Sequence, residues 1–103
     1  MQVSGPTRVT VGQAADFSVK VTFKNQPYAA KDIDFVKFIL VDATGNLALS
    51  GNATTVKDGE WAVKLTADQT NKLAAGSNRL EAIAVSKLVA IPGSESVQFV
   101  TIK

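Results

Sequence analysis

Asp42, Thr44 and Asn46 set side-chain oxygens at alternate positions in the run Asp42-Ala43-Thr44-Gly45-Asn46, the spacing with which a calcium loop begins. Such a loop carries its glycine later and closes on a distal bidentate Glu. Here the glycine comes early and no Glu follows at the proper distance, so the run reads as a tight reversal in which Asp and Asn fold back on their own backbone. Asp32 and Asp34 offer a carboxylate pair, but acid/base chemistry needs one of them buried and perturbed. With Lys31 and Lys37 beside them they read as a solvated strand entry. Asn52-Ala53-Thr54 has the glycosylation pattern, which matters in a secreted chain of a glycosylating source. Trp61 and Tyr28 are the residues that could stack on a sugar. Trp61 is in phase with Val63 and Leu65 and reads as core, which leaves Tyr28 as the exposed aromatic, and one ring is not a platform.

The chain has no Cys and no His. A disulfide framework, a Cys/His zinc site, a Ser-His triad and a Cys nucleophile are therefore excluded, and the expectation is a non-enzyme with no metal and no cofactor. Eleven basic residues stand against nine acidic ones, and the lysines are scattered singly with Arg8 and Arg79. No run can track a phosphate backbone, so nucleic acid is not expected as a partner. Apolar stretches such as Phe35 to Val41 fall short of the roughly 20 residues of a membrane-spanning helix. Met1 to Pro6 lacks a basic region followed by an apolar core, so an exported form would have its signal upstream.

A length of 103 residues with 46% hydrophobic and 19% charged side chains suits one domain spanning 1–103, with 1–6 as a linker or first edge segment. From Asp16 to Lys24 the sequence alternates, with Phe17, Val19, Val21 and Phe23 on one side, which is a half-buried strand. Val9 and Val11 mark a short strand before it, and Asn25-Gln26-Pro27 turns the chain after it. Ile33 to Asp42 is a longer strand. Short strands flank Gly51-Asn52, and Asp58-Gly59 is a hairpin signal ahead of Trp61, Val63 and Leu65. Thr66-Ala67-Asp68-Gln69 has the capping-box pattern, which predicts about two helical turns closed by Gly76. Arg79 to Ser86 and Ser96 to Ile102 supply the last strands. The fold class is all-β, an immunoglobulin-like or fibronectin-III-like β-sandwich of about seven strands with one short helical turn.

Three strands carry apolar residues on both faces. Ile33 to Val41 has Phe35, Ile39 and Val41 opposite Val36, Phe38 and Leu40; Arg79 to Val85 has Ile83 and Val85 opposite Leu80, Ala82 and Ala84; the last strand has Val100 and Ile102 opposite Val97 and Phe99. In such a sandwich these strands share one sheet. Its outer face, with Ile39, Val41, Ile83, Val85, Val100 and Ile102 and the loop residues Leu88, Val89 and Ile91, is the candidate interface.

Gln26-Pro27-Tyr28, Ile33 with Val36-Lys37, Asp42-Ala43-Thr44-Gly45, Asp58-Gly59-Glu60-Trp61, Gly76 to Glu81 and above all Ser86 to Pro92 carry a family likeness. From about Val9 to Thr101 the chain resembles the C-terminal immunoglobulin-like module appended to some bacterial peptide-type ABC-transporter solute-binding proteins. That resemblance implies a non-catalytic structural or interaction module outside the cytoplasmic membrane, docking on other domains of its parent chain or on a second copy. It carries over no ligand-binding residues, and no small molecule and no membrane insertion are expected. The alternative is a carbohydrate- or cell-surface-binding module, which would need several exposed aromatics.

Overall fold

The computed structural model describes residues 1–87 and 93–103. The β-sandwich class read from the sequence is the architecture found. Eleven strands are described: β1 (Gln2–Ser4), β2 (Arg8–Thr10), β3 (Ala15–Lys20), β4 (Thr22–Phe23), β5 (Gln26–Pro27), β6 (Ile33–Asp42), β7 (Leu47–Asn52), β8 (Thr54–Lys57), β9 (Glu60–Leu65), β10 (Gly76–Ser86) and β11 (Gly93–Ile102). Among the described residues, one sheet has the order β1-β3-β9-β8 and the other β2-β11-β10-β6-β7, while β4 and β5 form a separate ribbon. The pairs are antiparallel except β2 with β11, which is parallel.

Alternation along each strand explains the two layers. Phe17 and Val19 from β3 and Trp61, Val63 and Leu65 from β9 are buried against Val36, Phe38 and Leu40 of β6, Leu80, Ala82 and Ala84 of β10, and Phe99 of β11. The Phe17 and Phe99 rings meet with centroids 5.2 Å apart at 49°, a tilted contact. Each such large side chain contributes about 1.5–3 kcal/mol by leaving water.

The segment 1–6 supplies the first edge. Val3 is buried on β1, and the chain passes through Gly5-Pro6 to β2 in the opposite sheet. The same device recurs at buried Ala53, where the chain leaves β7 in one sheet for β8 in the other.

Three local expectations are corrected. The strand predicted from Asp16 to Lys24 stops at Lys20, because Lys24 and Asn25 take positive φ (52° and 64°) and fold β4 onto β5 as a small ribbon. Phe23 therefore rides outside the sandwich, 53% exposed, with Lys24 Nζ 5.5 Å from its ring centroid. Tyr28 is buried rather than exposed: its N–H donates to the Val21 carbonyl (3.0 Å), and its hydroxyl lies 2.6 Å from Ser86 Oγ. The helix α1 (Ala67–Thr70) is shorter than the two turns predicted. Its capping box is present as read, Thr66 Oγ1 accepting from the Gln69 N–H (3.2 Å) and Gln69 Oε1 from the Thr66 N–H (2.8 Å). Buried Thr70 ends it by donating its hydroxyl to the Gln13 carbonyl (2.9 Å), and Gly76 opens β10 instead of closing the helix.

Candidate functional site: the outer face of the five-stranded sheet

The register across β11, β10 and β6 places the outward side chains. Arg79 faces Val41 on one side and Gln98 on the other; Glu81 faces Ile39 and Ser96; Ile83 faces Lys37 and Ser94; Val85 faces Phe35. Ile39, Val41, Ile83 and Val85 thus stand in one column along the β6–β10 seam, but Glu81, Arg79 and Lys37 stand in it too, opposite the first three, Ile83 being 43% exposed and the other apolar members half-buried. Phe35 belongs to that column and was left out of the sequence-based set. The signal for it was available, since Phe35 is two residues before Lys37 and four before Ile39 on the same side of the strand.

Val100 and Ile102 are also exposed, at 47% and 40%, but they lie elsewhere on the face, paired with Arg8 and Thr10 of β2. Between them and the column, β11 presents Ser94, Ser96 and Gln98. Arg79 and Glu81 add an ion pair, Nε to Oε1 at 3.0 Å, with both side chains partly in solvent. Such an exposed pair contributes about 0–1 kcal/mol and serves chiefly to keep the strip polar. Lys37 Nζ stands 4.8 Å from the Phe35 ring centroid, a cation–π contact that sets a positive charge over the ring. The face is therefore a strip in which apolar and charged side chains alternate, with a polar flank on β11. A depression lined by Glu81, Ile83, Ser94, Glu95 and Ser96 opens on one side of the column. Leu88, Val89 and Ile91 lie outside the described residues.

The remaining candidates have structural roles. Asp42 Oδ1 accepts from the Thr44 amide (2.9 Å), the Thr44 hydroxyl (2.6 Å) and the Asn46 amide (3.0 Å), so the turn's own donors use the oxygen a cation would need. The Thr44 hydroxyl, followed by the Asn46 amide, holds the Asp42 carboxyl below its ordinary pKa. Asp32 closes a 3-10 turn (Ala30–Asp32), and its carbonyl accepts from the Lys87 N–H at 2.8 Å, while Asp34 is exposed on β6. Asn52 is exposed at the end of β7. Trp61 is buried between the sheets. Among the described residues no group of three or more His, Cys, Asp or Glu side chains could hold a metal ion, and no helix is long and apolar enough to cross a membrane.

No family model matches the sequence, and no curated protein matches it. Among solved structures, the crystal structure of CopC from Methylosinus trichosporium OB3b superposes with a TM-score of 0.58 at 18% identity, covering 98% of this chain and 89% of that one. At that identity the likeness is one of fold. It overturns the resemblance to the accessory module of ABC-transporter solute-binding proteins: the matching chain is nearly all sandwich rather than an appendage of a large two-lobed protein. The turn motifs that suggested that module recur wherever short strands need tight reversals, so they follow from the sandwich and not from one family.

Proposed function

We propose that this chain is a non-catalytic interaction module whose five-stranded sheet docks, by its outer face, on the surface of another protein. The observation that carries the reading is the cluster of Phe35, Ile39, Val41, Ile83 and Val85 on the outer side of adjacent strands β6 and β10, interleaved with Lys37, Glu81 and Arg79 and flanked by Ser94, Ser96 and Gln98 of β11. A mixed patch of this kind suits a non-obligate protein interface, which as a whole is only about as apolar as the rest of a protein surface. The absence of His and Cys from the sequence supports a role without catalysis. We place the protein outside the cytoplasm by analogy of fold, since many cell-surface domains are sandwiches of this kind. The carbohydrate-binding alternative loses its support because Tyr28 and Trp61 are buried, and exposed Phe23 has Lys24 over its ring.

Site-specific photo-crosslinking in the host that makes the chain tests the reading. A photoreactive residue at Ser96, on the outer face, is expected to give a discrete protein adduct, and one at Lys64, on the outer side of β9, is not. The Ile83→Thr/Val85→Thr background, which keeps β-branching, should lose the Ser96 adduct while the fold persists. Equal labelling from both positions, or an adduct indifferent to the double replacement, would overturn it.

A further inference from the structure

Backbone groups at the margin of the five-stranded sheet carry an inference that is independent of the docking face. Among the described residues four strands lie at the margins of the two large sheets: β1, β8, β2 and β7. Three of them are blunted. β1 and β2 are three residues each, and β8 carries Lys57 with a register irregularity between Thr55 and Lys57. β7 has the sequence Leu-Ala-Leu-Ser-Gly-Asn, with no charge and no proline, and its own irregularity falls at the Leu47 end, leaving Leu49 to Asn52 in regular pairing with β6.

The phase of that pairing fixes which groups are free. Ala53 donates its N–H to the Val36 carbonyl (2.8 Å), and the register runs on through Asn52 with Lys37, Gly51 with Phe38, Ser50 with Ile39 and Leu49 with Leu40. Alternate residues of an antiparallel strand bond to the same neighbour, so Gly51 and Leu49 turn their N–H and C=O groups to β6, while Ser50 and Asn52 turn theirs outward. Water hydrates such a row when it is exposed, and another extended strand can replace that water with a ladder in register.

We infer that the occupant is β7 of a second copy, paired antiparallel about a two-fold axis at Ser50. The strand is complementary to itself in that arrangement. Ser50 of each copy donates its N–H to the other's Ser50 carbonyl, and no like charges meet, because the strand has none. On the core side, Leu49 of one copy comes opposite Gly51 of the other. At position 51 the core side is taken by the Phe38 ring, 3.0 Å from where a Cβ would stand, so a side chain there would be tight, and Gly51 presents none toward the partner strand. An isologous contact of this kind closes on itself and does not propagate into fibres. It joins the two five-stranded sheets edge to edge and leaves both outer faces open to other partners.

Sedimentation of the full chain from low micromolar to about 1 mM, with amide hydrogen exchange at each concentration, tests the inference. The expected result is a rise toward dimer mass with Ser50 and Asn52 amides gaining protection, while Leu49 and Gly51 are protected throughout. Ser50→Pro removes an outward N–H without touching the β6 ladder and should abolish the mass increase. Ser50→Lys places two like charges on the axis and should do the same, and it serves if the proline variant fails to fold; Ser50→Thr should still dimerise. A chain that stays monomeric, a dimer indifferent to both Pro and Lys at position 50, or a dimer whose Ser50 and Asn52 amides exchange freely would overturn it. In the last case, loss of the dimer with Ile83→Thr/Val85→Thr would instead assign the contact to the outer face.

Discussion

The Tyr28 hydroxyl lies 2.6 Å from Ser86 Oγ, and Ser86 in turn donates to the Asp32 carbonyl at 3.2 Å. Because the Ser86 hydrogen is directed to Asp32, Tyr28 is the donor of the first bond. This relay ties the segment after the β4–β5 ribbon to the last residue of β10, at the same end of the sandwich where Asp58 Oδ1 accepts from the Ala30 N–H at 2.8 Å.

Tyr28→Phe keeps the ring and removes the donor, so it should cost about 0.5–1.5 kcal/mol in equilibrium urea unfolding. Ser86→Ala in the Tyr28→Phe background should add less than it does alone, since the two share one network. Fully additive losses would show that the relay is not a unit.

Gly5 sits where the first strand changes sheets, and a Cβ built there would stand 2.9 Å from the second-nearest carbon of the Phe17 ring. The ring cannot retreat easily, because it is packed on Phe99. Gly5→Ala is therefore an overpacking change and should cost about 1–3 kcal/mol. Gly45→Ala is the contrast: its Cβ would meet nothing within 4 Å, but φ is +88°, so any loss there comes from backbone strain, about 1–2 kcal/mol. Urea unfolding of both, with Phe17→Leu added to each, separates the two causes: the smaller side chain should rescue Gly5→Ala and not Gly45→Ala.

How much of this was legible in the sequence depended on the range of the forces involved. The long strand Ile33–Asp42, the Asp58-Gly59 hairpin and the Thr66–Gln69 capping box rest on neighbours within a few residues, and each is found as read. Phe23 was misplaced because its fate depends on two non-glycine residues, Lys24 and Asn25, adopting positive φ, which residue type alone does not announce. Tyr28 was misplaced because its cover comes from Ser86, 58 residues away. The candidate interface divides in the same manner. Alternation showed which side chains of β6, β10 and β11 point outward, but their lateral neighbours depend on register. Only the register shows that Val100 and Ile102 stand beside Arg8 and Thr10 rather than beside Ile83.

Asp42 gives a prediction in pH. Its carboxyl is held below the ordinary value by the Thr44 hydroxyl first and the Asn46 amide next. A depressed folded pKa contributes stability that is fully present above the unfolded value and is lost as pH falls through the folded one. Carbon-detected NMR titration should place the Asp42 midpoint below the ordinary aspartate value, and Thr44→Ala should move it upward. An Asp42 midpoint unchanged in Thr44→Ala would show that the backbone amides alone set it.

Trp61 supplies the last prediction, and two opposing effects bear on it. The ring is 8% exposed, between Val19 across the β3–β9 ladder and Thr55 on β8. Its Nε1 is buried with no hydrogen-bond partner among the described residues, so the side chain combines a large apolar area with one uncompensated donor. Trp61→Ala removes both and opens a cavity, for which the area term dominates, and the cost should be about 3–5 kcal/mol. Trp61→Phe keeps most of the area and removes the orphan donor, so its cost should be clearly smaller. Native fluorescence should be blue-shifted relative to the urea-unfolded chain, since Trp61 is the only tryptophan in the sequence. A loss below about 1 kcal/mol in Trp61→Ala would place the ring outside the core. It would also return an aromatic to the surface, where a sugar could stack on it.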